Sequence, residues 1–320
     1  MAAPALGHIE DMNTTSSLRS ATYVVISPVR NEAQHLERTI QSVIQQTVRP
    51  VRWFIVNDGS TDETPAIIER YASQYPWIVP VDRTDLDRAR ETGAPESKGS
   101  RGRRARDAKE IEAFYAGYEK LADSDWEFLV KLDGDLSFEA DYFEKCFAEF
   151  EADPRLGIGG GAICHPVKGQ LEVETTPKFH VRGATKIYRR GCWEQIGGML
   201  RGAGWDTLDE VKANMLGWST RTFSNLKVVH HRATGSANGV WQNAVKVGAW
   251  SYISGYHPLY VLARCGRWSL EKPYIVGAVG LFYGYFNGYF RRTPRADKQL
   301  IRYVRSQQVR RLSFRPTIWK

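Results

Sequence analysis

The stretch Trp126-Glu127-Phe128-Leu129-Val130-Lys131-Leu132-Asp133-Gly134-Asp135 is an apolar run that ends in two carboxylates around a glycine. An apolar run of this length, closed by Asp-Gly, reads as a buried strand stopping at a turn. Two carboxylates about 6 Å apart repel by about 3 kcal/mol at an effective dielectric of 20, and a divalent cation with a ligand diphosphate relieves that repulsion. The competing explanation is an ordinary solvated turn, since Asp-Gly is among the commonest turn dipeptides. A second motif weighs against it: Asn57-Asp58-Gly59-Ser60-Thr61-Asp62 follows another apolar run, Trp53-Phe54-Ile55-Val56. Two acidic turns at two strand ends suggest one shared site.

Outward from these motifs the chain alternates strands and helices. Thr22 to Ser27 reads as a buried strand, and Leu36, Ile40, Val43 and Ile44 recur at helical spacing. Trp53 to Val56 is the next strand. Ser60 and Glu63 then form a candidate capping box, with Pro65 in the first turn of a helix through Ile67, Ile68 and Tyr71. Ile78 to Val81 is a third strand. Residues 85–107 are rich in Arg, Gly and Ser without apolar periodicity, and read as a long mobile basic loop. Its arginines are either solvated charge or a cover for substrate phosphates. A helix through Ile111, Phe114, Tyr115, Tyr118 and Leu121 leads into the opening strand, and Tyr142, Phe143, Cys146, Phe147 and Phe150 mark another helix. Such alternation implies an α/β sheet with right-handed crossovers, in which ligands bind beyond the carboxyl ends of the strands.

With 320 residues and 42% apolar content the chain can bury a large core. Cys146, Cys164, Cys192 and Cys265 have no paired spacing, which argues against a zinc module or a disulfide framework and suits a reducing cytoplasm. Residues 1–20 lack the apolar segment of a secretory signal and read as a disordered tail. From Trp241 onward there are fourteen Lys and Arg against two acids, so the net charge of +8 belongs to the C-terminal quarter.

These residues resemble the inverting glycosyltransferases of family 2, which have the nucleotide-diphospho-sugar-binding GT-A fold. The resemblance rests on four pieces: Ile26-Ser27-Pro28-Val29-Arg30-Asn31-Glu32, Asn57 to Asp62, Asp133-Gly134-Asp135, and Gly204-Trp205-Asp206. It implies a mixed, mostly parallel sheet flanked by helices over residues 21–235, followed by a helical, basic appendage over 236–320. It also implies a nucleotide-diphosphate sugar as donor and Mg2+ or Mn2+ as cofactor. Pro28, Arg30, Glu32, Asp58 and Asp133 would line the nucleotide, with Asp58 against the base and Asp133 near the ribose. Asp135 and Asp133 would hold the metal, with His231 as a further candidate; a core or surface histidine is the alternative for His231.

Inverting transfer needs a base for the acceptor hydroxyl. The family places a carboxylate at the start of a helix on the acceptor side, often in a Glu-Asp pair. Here the segment is Trp205-Asp206-Thr207-Leu208-Asp209-Glu210. Counting back from Gly217 favours Asp206, with Asp209 and Glu210 as alternates that could instead complement the helix dipole. Trp205 stands where the family has Glu, which keeps a catalytically degenerate nucleotide-sugar-binding protein open. His180 and Arg182 precede Gly183-Ala184-Thr185, which resembles the strand facing the acceptor; packing explains them equally well.

Pro273 to Phe290 runs for eighteen residues without a charge, yet its four Gly, four Tyr and Asn287 make it a poor membrane span. With Arg291, Arg292, Arg295 and Lys298 after it, the segment suits an anionic membrane surface and an enzyme peripheral at the cytoplasmic face. A helical hairpin packed on the catalytic domain is the alternative. Gln308-Val309-Arg310-Arg311-Leu312 resembles the Gln-x-x-Arg-Trp motif of processive synthases but has Leu for Trp, and implies no polymerase activity. The expected acceptor is a glycan or a lipid-linked glycan in surface polysaccharide synthesis. A sequence pI near 9.3 also fits a nucleic-acid-binding protein, but acids clustered at three strand ends argue against nucleic acid as the partner.

Overall fold

The structure, a computed structural model, describes residues 21–83, 103–121, 125–167, 169–201, 205–232, 239–270, 274–293 and 295–319. The expected tail 1–20, most of the expected loop 85–107, and Gly204 lie outside these residues. The N-terminal elements are β1 (Tyr23–Val29), α1 (Leu36–Ile44), β2 (Arg52–Asn57), α2 (Thr64–Gln74), β3 (Ile78–Asp82), α3 (Arg103–Tyr118), β4 (Phe128–Leu132) and β5 (Leu136–Ser137). There follow α4 (Tyr142–Ala152), β6 (Leu156–Val167), β7 (Gln170–Val173), β8 (Thr185–Arg189), α5 (Arg190–Ile196), α6 (Trp205–Met215) and β9 (Ser219–His230). Four helices close the chain: α7 (Val240–Ile253), α8 (Pro258–Trp268), α9 (Ile275–Phe290) and α10 (Lys298–Leu312). The last residues of the expected basic loop, 103–107, are helical and open α3.

The sheet order is β3-β2-β1-β4-β8-β6-β9-β5, with β7 paired to β6. It is parallel from β3 to β4, because helical crossovers return each strand in the same direction. Beyond β4 it is mixed: β8 is antiparallel to both β4 and β6, β9 runs parallel to β6, and β5 and β7 pair antiparallel. Helices cover both faces of β1, β2 and β4, which is why these strands are almost wholly apolar. Tyr23, Val25, Trp53 and Ile55 meet α1, α2 and α4, while Val24, Ile26, Phe54 and Val56 meet α3 and α5. The period-two alternation assigns successive residues to opposite layers.

The expected Ser60–Glu63 capping box does not form. Glu63 caps α2 without a side-chain bond, Asp62 Oδ1 accepts from the Thr64 amide at 3.0 Å, and Ser60 Oγ accepts from the Asn31 amide at 3.0 Å. The polar side chains of this loop are spent on tying two loops together rather than on the helix alone.

The C-terminal helices join the sheet domain through Leu208 and Val211 of α6, which pack with Leu300, Val304 and Trp319. The uncharged segment forms α9, and one face of it lies against α7. There a Cβ on Gly284 would run into the Val245 carbonyl, so the close approach of the two helices requires glycine. The opposite face is exposed at Ile275, Val276, Val279, Phe282 and Tyr283, and Phe290 at its end is 87% exposed. Among the described residues no helix is long and apolar enough to cross a membrane.

Candidate functional site

The carboxyl ends of β1, β2 and β4 converge, and hydrogen bonds between their loops fix the site. Asn31 takes a positive φ of 53°, which its short amide side chain tolerates. Its Oδ1 accepts from the Thr61 amide at 2.8 Å. The next two amides are also held from the second loop: Glu32 donates to Thr64 Oγ1 at 2.8 Å and Ala33 to Asp62 Oδ2 at 3.1 Å. Asn57 Oδ1 accepts from the Ser60 amide at 3.0 Å and shapes the turn through Gly59. Most of the Asn57–Asp62 motif therefore builds the loop pair, while Asp58 is engaged by arginines. Arg83 Nη1 donates to Asp58 at 2.7 Å and its Nη2 to Glu112 at 2.8 Å, while Arg30, largely exposed, lies 4.0 Å from Asp58. Pro28 sits in β1 opposite Val56.

The Asp-Gly-Asp turn is packed against the same loops. The Asp133 amide donates to the Ala184 carbonyl at 2.9 Å, and a Cβ on Gly134 would stand 2.7 Å from Val29 Cγ1. Thr39 Oγ1 then bridges both backbone groups of Leu136, at 2.8 and 2.9 Å, anchoring β5 to α1. Lys131, wholly buried in β4, pairs with Asp133 and with Glu110 at 2.6 Å. Burial lifts the Asp133 carboxyl to about 6 against the pull of Lys131.

Asp135 is 5% exposed. Its Oδ2 accepts from His230 Nε2 at 3.1 Å and lies 3.7 Å from Arg232 Nε, while its buried Oδ1 has no hydrogen-bond partner among the described residues. Burial alone would raise this carboxyl; the His230 bond and charge, with Arg232, outweigh it and hold the group below its ordinary range. Glu32 responds in the other direction. Burial and the neighbouring Asp135 charge lift it to about 8, although Arg232 Nη2 donates to it at 2.6 Å.

His230, and not the expected His231, meets the acidic centre. The pairing of His230 with Leu136 turns it toward Asp135. His231 Nε2 is instead 2.8 Å from Ser137 Oγ, and its ring stacks on His35. Burial and nearby Arg38 lower the His231 pKa.

At the start of α6 the three acidic candidates separate. Asp209 and Glu210 are completely buried. Asp209 accepts from Lys186 Nζ at 3.0 Å and from the Tyr188 hydroxyl at 2.6 Å. Glu210 lies 2.8 Å from Lys186 Nζ and 2.9 Å from His180 Nδ1, and accepts from the Val181 amide at 2.8 Å. Lys186 also donates to the Asp206 backbone carbonyl. Asp206 is half-buried, and among the described residues no hydrogen bond or ion pair engages its carboxylate. Lys186 was not among the sequence candidates, although a lysine inside the strand Thr185-Lys186-Ile187-Tyr188 was a signal that acids would have to meet it.

Residues 24–100 match the family described as Glycosyl transferase family 2. Over 71 residues the chain is 37% identical to 4,4'-diaponeurosporenoate glycosyltransferase of Staphylococcus aureus, an overlap of 22% of this chain and 18% of that protein. The chain thus spans about a fifth of the length of the curated relatives it matches. Among solved structures it is similar to S. aureus TarS 1-349, with a TM-score of 0.49 and 13% identity over 85% of this chain and 72% of that one. It is also similar to the mannosyltransferase PcManGT from Pyrobaculum calidifontis in complex with GDP-Man and Mn2+, with a TM-score of 0.49 and 17% identity over 92% and 76% of the two chains. Over residues 24–100, which hold β1 to β3, the chain is thus similar to glycosyl transferase family 2.

Proposed function

We propose that this protein transfers a sugar from a nucleoside-diphosphate sugar to an acceptor hydroxyl with inversion. The observation that carries this reading is the buried Asp135 carboxylate at the joint ends of β1, β2 and β4, with one oxygen unpartnered among the described residues. A buried anionic oxygen without a donor is costly, which suits a site that a ligand completes. Pro28, Arg30, Glu32, Asp58 and Asp133 would line the nucleotide.

The donor set fits a hard divalent cation, Mg2+ or Mn2+, held by Asp135 Oδ1 with Asp133 beside it. Among the described residues no group of three or more His, Cys, Asp or Glu could hold a metal, so the rest of the shell would come from diphosphate and water. When bound, such an ion is a Lewis acid for the departing diphosphate. His230 and Arg232 outweigh burial and hold the Asp135 carboxyl low, whereas Lys131 only opposes the burial that raises Asp133. Asp206, as base, would take the proton of the attacking hydroxyl; the burial of Asp209 and Glu210 favours it over both alternates.

The direct test incubates the protein with UDP- and GDP-sugars in Mn2+ or Mg2+ and measures nucleoside diphosphate. Release from one donor class that stops on adding EDTA is expected; no release and no binding with either class would overturn the reading.

The exposed apolar face of α9, bordered by Arg291 and Arg292, supports placement against an anionic leaflet at the cytoplasmic membrane face and a lipid-linked acceptor. Flotation with vesicles containing phosphatidylglycerol is expected for the wild type and lost in Phe282→Ser/Phe290→Ser. Equal flotation of both proteins would contradict this placement.

A further inference from the structure

A cavity of about 370 Å3 lies between the start of α6 and the C-terminal helices. Thr207, next to Asp206, and His180 line its sheet-domain side. Tyr256, Tyr260, Trp268 and Trp319 form an aromatic wall opposite, with ring centroids 5.9 Å apart for Tyr256 and Tyr260 and 6.3 Å apart for Tyr260 and Trp319. Pro177, Phe179 and three arginines, Arg264, Arg267 and Arg311, also line it, and among the described residues no acid does. Arg264 lies over the Trp268 ring, 5.5 Å from its centroid. Burial lowers the His180 pKa but Glu210 outweighs it, burial raises that of Tyr256, and the Asp206 charge adds a smaller upward pull on both.

Aromatic walls bind the apolar faces of rings and chains, and clustered guanidinium groups match phosphate oxygens in forked, charge-assisted hydrogen bonds. A concave site of this size with a few convergent polar groups is built for a ligand. We propose that this cleft is the acceptor subsite and that the acceptor carries a phosphate group, which the arginines hold while its reacting hydroxyl lies toward Asp206. The proposal rests on the assignment of Asp206 as base. Phosphate on a free sugar and phosphate on a lipid chain share this chemistry.

The test titrates tryptophan fluorescence with glucose 6-phosphate and with geranyl phosphate, in Mn2+ and an excess of UDP and GDP so that the donor region cannot take the probe. Saturable binding of at least one probe is expected, and the tighter one identifies the source of the phosphate. Arg264→Gln/Arg311→Gln is expected to weaken that binding by about 10- to 100-fold, as for loss of charged hydrogen bonds, with nucleoside-diphosphate affinity unchanged. Absence of binding by both probes, or equal binding by the double variant, would overturn the proposal. Turnover of Asp206→Asn is read separately, so failure of the base assignment is distinguishable from failure of the cleft.

Discussion

Asp206→Asn is expected to lower sugar transfer by about 100- to 10,000-fold, the range that a general base supplies, with donor affinity unchanged. The expectation follows from a division of labour at the start of α6. Asp206 keeps a half-exposed carboxylate free of partners among the described residues, whereas Asp209 and Glu210 are sealed against Lys186, Tyr188 and His180. Replacing a carboxylate by the isosteric amide removes the proton acceptor and little packing, so stability should stay within about 0.5 kcal/mol of wild type. Single-turnover kinetics with a titration of nucleoside diphosphate separate the two effects. Near-normal turnover would refute the assignment.

Lys186→Met is expected to destabilise the fold by about 3–5 kcal/mol in urea unfolding, because it leaves two buried carboxylates without their common cation. Lys186 Nζ lies 3.0 Å from Asp209 and 2.8 Å from Glu210, with all three side chains inaccessible to water. Burial opposes the charge on His180, but Glu210 prevails and raises its pKa above 6.5. The stabilisation from protonated His180 is therefore complete below the unfolded value near 6.5 and is lost as the pH rises through the higher folded value. A Lys186→Met protein with wild-type urea stability would show that the network contributes little.

The strands and the acidic turns that end them were legible because their signals are local. Val24-Val25-Ile26 and Phe54-Ile55-Val56 are apolar on both faces, as strands covered by helices must be, and Asp58 and Asp135 follow such runs directly. The misreadings involve partners far along the chain. Ser60 reads as a helix cap in its own segment, yet the Asn31 amide claims it from 29 residues away. His230 and His231 are equivalent as neighbours in sequence; only the pairing of β9 with β5 decides which faces Asp135. Asp209 and Glu210 look like ordinary first-turn acids until Lys186, in another strand, is placed beside them. The arginine-lined cleft draws on several separated segments and has no contiguous motif to read.

Asp135 is proposed to anchor the diphosphate end of a nucleotide donor through a divalent ion. Anomalous diffraction at the manganese edge, from crystals grown with Mn2+ and a nucleoside diphosphate, tests it most directly. A manganese peak against the Asp135 carboxylate, with the nucleotide between the Glu32 and Asp58 loops, is the expected result. A nucleotide bound elsewhere, or bound there with no manganese near Asp135, would contradict it.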